Sequence, residues 1–238
     1  MTLVPRYVIA VLLLWAASLA TFAAPPAYEA IIKACDESEN AAQCERLLEK
    51  GQLKQFHGVA TRDGSVLRLP SRPGAPPVEL RDSGDPESET GDFRWHAFWD
   101  FWPEARIAVI SVSTRDTDHF LLIELERGAQ TRVPAEPLLS PDSARFLVSD
   151  FCDKGCGNQI QVWRIERNRP LREKTFKPRE RWYETDVSWR DATSLTAEYS
   201  IAGPRRRLAE PGEVNLVKAG PMVLKLSDAG WMSDEPRR

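Results

Sequence analysis

Three times along the chain a run of apolar residues follows directly on a tight polar corner. Phe101-Trp102-Pro103-Glu104-Ala105-Arg106 precedes IAVISVS, Ser140-Pro141-Asp142-Ser143-Ala144-Arg145 precedes FLVSDF, and Ser188-Trp189-Arg190-Asp191-Ala192-Thr193 precedes SLTAEYSI. Each run has the length and the branched or aromatic content of a short β-strand. Proline presets the backbone for a turn, and the acid beside it can accept hydrogen bonds from nearby N–H groups before the strand begins. Further strands are expected in HFLLIELERGAQTRV, broken at Gly128, and in NQIQVWRIERNRPLREKTF, broken at Asn168-Arg169-Pro170. Two more flank Ala219-Gly220-Pro221, and a smaller hairpin turns at Arg62-Asp63-Gly64. The corners recur at roughly 40 to 50 residues, the period of propeller blades. The pattern predicts a mainly β fold of antiparallel sheets, propeller-like or an incomplete propeller of repeated hairpin units.

Ahead of the strands the period changes. In YEAIIKACDESENAAQCERLLEKG, Ile31, Ile32, Ala34 and Cys35, then Ala41, Cys44, Leu47 and Leu48, follow helical spacing on either side of a polar break. A straight helix would hold Cys35 and Cys44 about 13 Å apart, beyond disulfide reach, so a bond between them requires a helical hairpin bent near Glu37 to Asn40. Residues 24–55 are therefore expected to be a helical hairpin, packed on the sheets or used as a docking arm, and 56–232 the β-repeat domain. The acidic stretch RDSGDPESETGD, with Asp82 and Asp85, is expected to be a solvated loop, and residues 233–238 a disordered tail.

The first residues, with Arg6 ahead of an apolar run from Tyr7 to about Ala17 and then small side chains before Pro25-Pro26, have the layout of a secretory signal peptide. The run falls short of the ~20 residues that span a bilayer, so residues 1–23 are expected to be cleaved and no integral membrane segment to remain. Export puts four cysteines, an even number, in an oxidising compartment, which favours two disulfides. The local pairs are Cys35 with Cys44 and Cys152 with Cys156, the second stapling a loop tip with glycine-permitted backbone. No histidine or second cysteine pair lies near Cys152 and Cys156, so no metal is expected there. The formal net charge of -3 and the scattered arginines, apart from Arg205 to Arg207, leave no continuous basic face for nucleic acid.

Catalytic signatures are missing: there is no H-E-x-x-H, G-x-S-x-G, phosphate-binding loop or dinucleotide fingerprint, and no cofactor is implied. His57, His96 and His119 stand far apart, each read as structural or exposed. Two aromatic stretches remain. In FRWHAFWDFWPE, alternation puts Phe93, Trp95, Ala97, Trp99 and Phe101 on one side and Arg94, His96, Phe98, Asp100 and Trp102 on the other, the pattern of a central strand buried on both faces. Core packing explains it, while a platform for sugars or peptide, with Asp100 or Glu104 as hydrogen-bond partner, is the functional alternative. In ERWYETD, Trp182 and Tyr183 with Arg179 and Arg181 have the composition of a protein-binding hot spot at a loop.

The corner-plus-strand unit resembles the blades of bacterial periplasmic β-propellers of the TolB and PD40 kind, marked by Ser-Pro-Asp-Gly before an apolar strand. Ser140, Pro141 and Asp142 match, with Ser143 in the glycine position; the corners at Pro103 and Asp191 match in outline. The resemblance implies a scaffold used for protein contacts, with no catalytic residue. The expectation is thus an exported, periplasmic or secreted binding or scaffold protein of the bacterial envelope, partnered by another envelope protein. An inhibitor or immunity-type protein, or a carbohydrate-binding or hydrolytic protein using the Trp95 to Trp102 aromatics, are the alternatives.

Overall fold

A computed structural model describes residues 41–85, 91–152, 155–203 and 215–234. They form helix α1 (Ala41–Gln55) and four antiparallel sheets taken in chain order. Sheet I holds β1 (Thr61–Asp63), β2 (Val66–Leu69) and β3 (Val78–Arg81). Sheet II holds β4 (Arg94–Trp102), β5 (Ile107–Thr114), β6 (His119–Glu124) and β7 (Gln130–Val133). Sheet III holds β8 (Pro137–Leu139), β9 (Arg145–Asp150), β10 (Gln159–Glu166) and β11 (Arg169–Phe176). Sheet IV holds β12 (Trp182–Asp191), β13 (Ser194–Ala202), β15 (Met222–Ser227) and β16 (Gly230–Ser233), with β14 (Leu216–Lys218) against the far end of β13. The mainly β expectation holds. The expected cleavage segment, the first helix of the hairpin and the Cys35 end of its disulfide lie outside the described residues; Cys44 is disulfide-bonded.

All three polar corners occupy one topological place, the turn from first to second strand in sheets II, III and IV. Their closures differ. In the second corner the buried Ser140 hydroxyl accepts from Arg145 N–H at 2.9 Å and lies 2.7 Å from Asp142 Oδ1, which accepts from Ala144 N–H at 3.2 Å. In the first, Arg106 N–H donates to Pro103 O at 3.2 Å. In the third, Asp191 accepts from Thr193 N–H at 2.8 Å and from the Thr193 and Ser194 hydroxyls, bonds that hold its carboxyl down to about 2. The hairpin expected to break at Asn168-Arg169-Pro170 instead turns at Arg167 and Asn168, both with positive φ (50° and 65°), the two-residue geometry that matches strand twist. Pro170 then falls within β11, where an edge strand tolerates it.

Between neighbouring sheets lies an apolar layer. Alternation along β5 sends Ala108, Ile110 and Val112 toward sheet I and Ile107 and Val109 toward sheet III. On β9, Phe146 and Val148 face sheet II while Leu147 faces sheet IV. The outermost faces differ. Sheet I presents Asp63, Arg68 and Glu79, with Arg68 3.0 Å from each acid, and sheet IV presents Asp186, Ser188, Thr196, Glu198 and Lys225. A sheet with a charged outer face has no use for another layer, so the stack ends there and, among the described residues, does not close into a ring.

The strand expected to be central, β4, is an edge strand. A bulge between Phe98 and Asp100 also breaks the alternation, so Phe98 and Phe101 join the layer toward sheet I, and Trp99 and Trp102 the layer toward sheet III. The free edge of β4 is finished by side chains. Asp82 Oδ1 accepts from His96 N–H at 2.9 Å, Glu49 Oε1 accepts from Phe98 N–H at 3.0 Å, and the Arg46 and Arg62 guanidiniums donate to His96 O. Arg62 binds both acids, at 2.6 Å from Glu49 Oε1 and 3.0 Å from Asp82 Oδ2, and Arg46 joins them while stacking 4.4 Å above Trp95. Asp82, expected in a solvated loop, is thus buried: burial raises its pKa, but hydrogen bonds from His96 and the two guanidiniums outweigh that and hold it low. Helix α1 is correspondingly no free arm, since Leu48 is buried and Leu53 packs in the layer with sheet I and β4. Ser233 lies in β16 and Asp234 N–H donates to Val223 O at 3.1 Å, so the ordered chain runs past the expected start of the tail.

Removing one member of such a network leaves buried charge and N–H groups unmatched. Glu49→Ala should therefore lower unfolding stability by about 3 kcal/mol or more, whereas Glu79→Ala, at the exposed Arg68 pair, should cost less than about 1 kcal/mol. Urea denaturation of both variants checks the contrast.

Candidate functional site

The polar corners mark the turn end of sheets II to IV. At the opposite end a cleft of about 610 Å³ lies between the β5–β6 loop, residues 115–118, and the longer β9–β10 loop, residues 151–158. Its walls are Asp116, Thr117, Asp118 and His119 on one side, Arg132 and Pro134 on another, and Asp150 with the Cys152–Cys156 loop on the third. The expected disulfide is present, with Cα atoms 5.6 Å apart, and staples the loop tip.

The loop is anchored from three directions. Asp150, buried at the end of β9, accepts from Gly157 N–H at 2.9 Å and Gln159 Nε2 at 3.2 Å. A Cβ at residue 157 would come 2.5 Å from Asp150 Oδ2 and 2.6 Å from Gln159 Nε2, so any other side chain would push these anchoring groups aside. Asn158 Oδ1 accepts from Trp182 N–H at 3.1 Å, and Arg181 donates to Cys152 O at 2.7 Å. The opposing loop is shaped by Thr114, whose hydroxyl accepts from Thr117 N–H at 3.2 Å.

Electrostatically the cleft is unfinished. Asp116, Asp118 and Arg132 make no ion pair among the described residues, although many surface acids and arginines elsewhere do. His119, 9% exposed, has no hydrogen-bond partner at Nδ1. Burial pushes its pKa down, helped by the Arg132 and Arg94 guanidiniums and opposed by Asp118, so the ring is neutral near pH 7.

The residues singled out from the sequence divide. Trp182 is 1% exposed and stacks on Tyr199 at 3.8 Å between centroids, with Phe151 on its other side, so the structure places it in the core rather than at a loop. Tyr183 is half-buried with the Arg181 guanidinium 5.5 Å over its ring, and this pair borders the stapled loop; Arg179 is exposed beside them. Trp102 is 2% exposed and packs on Phe146 at 5.3 Å, so it offers no platform. Trp99 packs edge-on against Phe120 and donates Nε1 to Glu136 at 2.9 Å. Asp100 spends its oxygens on Phe101 N–H at 2.8 Å and Trp102 Nε1 at 3.2 Å, stabilising the bulge, and Glu104 is exposed at the corner. The lining of the cleft was missed because its residues come from three separated segments, and only the paired cysteines marked it. No helix among the described residues is long and apolar enough to cross a membrane, and no group of three or more metal-ligating side chains occurs among them.

Burial raises the pKa of Asp100 against its two hydrogen bonds, and it raises that of Glu136, to which Asp100 adds repulsion. A carboxyl with a raised folded-state pKa binds more protons folded than unfolded, so its contribution to stability falls as pH rises from about 4 and levels off above its folded value. Asp100→Asn should remove that decline, so the stability difference between wild type and variant should shift in favour of the variant as pH rises above about 4 and then level off; denaturation series at several pH values test it. Comparison with known proteins finds no family model, no curated protein and no solved structure that matches this chain.

Proposed function

We propose that the chain is an exported, non-enzymatic binding or scaffold protein of the bacterial envelope, which contacts another protein through the loop end of an incomplete, propeller-like stack. Export rests on the leader-like first residues and the even number of cysteines. The propeller-like reading is supported by meander sheets of successive strands, by equivalent placement of the three polar corners, and by sheet-on-sheet apolar layers.

The observation that carries the reading is the stapled Cys152–Cys156 loop beside the open cleft, held to the body by Arg181, Asn158 and Asp150. A loop restrained before binding loses less entropy when a partner docks, which is how rigid scaffolds turn loops into contact surfaces. The Arg181 and Tyr183 pair extends the same surface. The carbohydrate alternative is weaker because burial of Trp102 removes half of its platform.

Site-specific photocrosslinking in envelope extract tests the proposal. A photoreactive residue in place of Thr117 or Pro134 should trap one predominant protein, and the Cys152→Ser/Cys156→Ser variant should lower the yield severalfold. The same probe at Glu126 or Arg167, on the turn end, should trap none. Equal trapping at both ends, or none at either, would contradict it.

A further inference from the structure

We infer that the loop-end cleft receives a cationic side chain, a lysine or arginine of the partner protein. The inference rests on the loop end being the contact surface and adds which chemistry it recognises.

Among the described residues the lining carries three carboxylates, Asp116, Asp118 and Asp150, against one guanidinium, Arg132, a formal balance of -2. His119 adds no positive charge, because burial and the neighbouring guanidiniums keep it neutral. Acids clustered on exposed loops are ordinarily just solvated, but His119 separates this cleft from that case. It lines the cavity, is nine-tenths buried, and has an unpartnered Nδ1 where a buried polar atom normally has a partner. Asp150 is also buried, with Oδ2 held by Gly157 and Gln159, so one carboxylate of the three is fixed before any ligand arrives.

Elsewhere on the molecule several of the chain's own cations sit on acids: Arg68 on Asp63 and Glu79, Arg164 on Glu166, Lys218 on Glu198. At this cleft Asp116 and Asp118 have no such counter-ion among the described residues. A guanidinium or ammonium entering between the β5–β6 loop and the stapled loop would supply one. Arg132 on the remaining wall repels a second cation and can meet a carbonyl of the incoming segment, which sets its direction.

The probes are Nα-acetyl-arginine amide and Nα-acetyl-lysine amide, with Nα-acetyl-glutamate amide as control, titrated into the full chain and followed by NMR of the His119 ring and the Thr117 and Gly155 amides. Both cationic probes should give saturable shifts at millimolar concentration that weaken with salt, and the glutamate probe should give none. Asp116→Asn/Asp118→Asn should weaken binding about fivefold, the upper end for an exposed ion pair. Arg132→Gln should leave it unchanged or tighter, which checks the sign of the effect on a variant retaining both acids. No saturable shift with either cation, a matching response to the glutamate probe, or full binding by the double variant would overturn the inference. If the Thr117 photocrosslink persists while the cationic probes fail, the contact surface stands and the cation pocket falls. If the probes bind and nothing is trapped, the pocket stands and the partner reading falls.

Discussion

Sheets II and III are apolar on both faces, and everything else in the architecture answers to that. A strand such as β5, with Ile107 and Val109 on one side and Ala108, Ile110 and Val112 on the other, cannot lie at a surface. Each fully buried branched side chain contributes on the order of 1.5–3 kcal/mol, and exposing a whole face would forfeit several of them at once. Sheets I and IV supply the missing covers. They need one apolar face apiece, and each has one, the other being charged or hydroxyl-bearing. The chain thus encodes a stack with two interior sheets and two terminal ones, the device by which repeat folds stop growing.

A stack of this kind exposes strand edges, and the edge of β4 shows how one is closed without another strand. Two carboxylates take its N–H groups, two guanidiniums take a carbonyl, and the charges neutralise one another in the gap between α1, sheet I and sheet II. The helix is locked to the sheets by the same groups. What remains for recognition is the end of the stack that carries the stapled loop and the cleft. Short corners at the other end, closed by Ser140, Asp142 and Asp191, are spent on their own backbones.

Much of this was legible along the chain. Continuous apolar runs such as IAVISVS signal burial on two faces, and the proline-and-acid corners mark the first turn of each later sheet. The helix over Cys44, Leu47 and Leu48 was readable from its period, and so was the Cys152–Cys156 staple. Other features depend on distance in sequence. Nothing local distinguishes an edge strand from a central one, and the bulge at Phe98 to Asp100 arises where β4 must serve two neighbouring layers. Trp182, flanked by charges, reads as a loop residue, yet pairing of β12 with β13 sets it on Tyr199. Asp82 reads as solvated because its partners, Arg46 and Arg62, come from other elements. The cleft is likewise invisible until the fold brings Asp118, Arg132 and Asp150 together.

The two-faced burial of the interior sheets is open to one direct measurement on adjacent residues of β9. Phe146 points into the layer with sheet II and Leu147 into the layer with sheet IV, and both are fully buried. Equilibrium unfolding of Phe146→Ala and Leu147→Ala, followed by circular dichroism and tryptophan fluorescence, should show each losing about 2–5 kcal/mol in a single coincident transition. If either variant loses less than about 1 kcal/mol, that side of sheet III faces solvent and the stack as described is wrong.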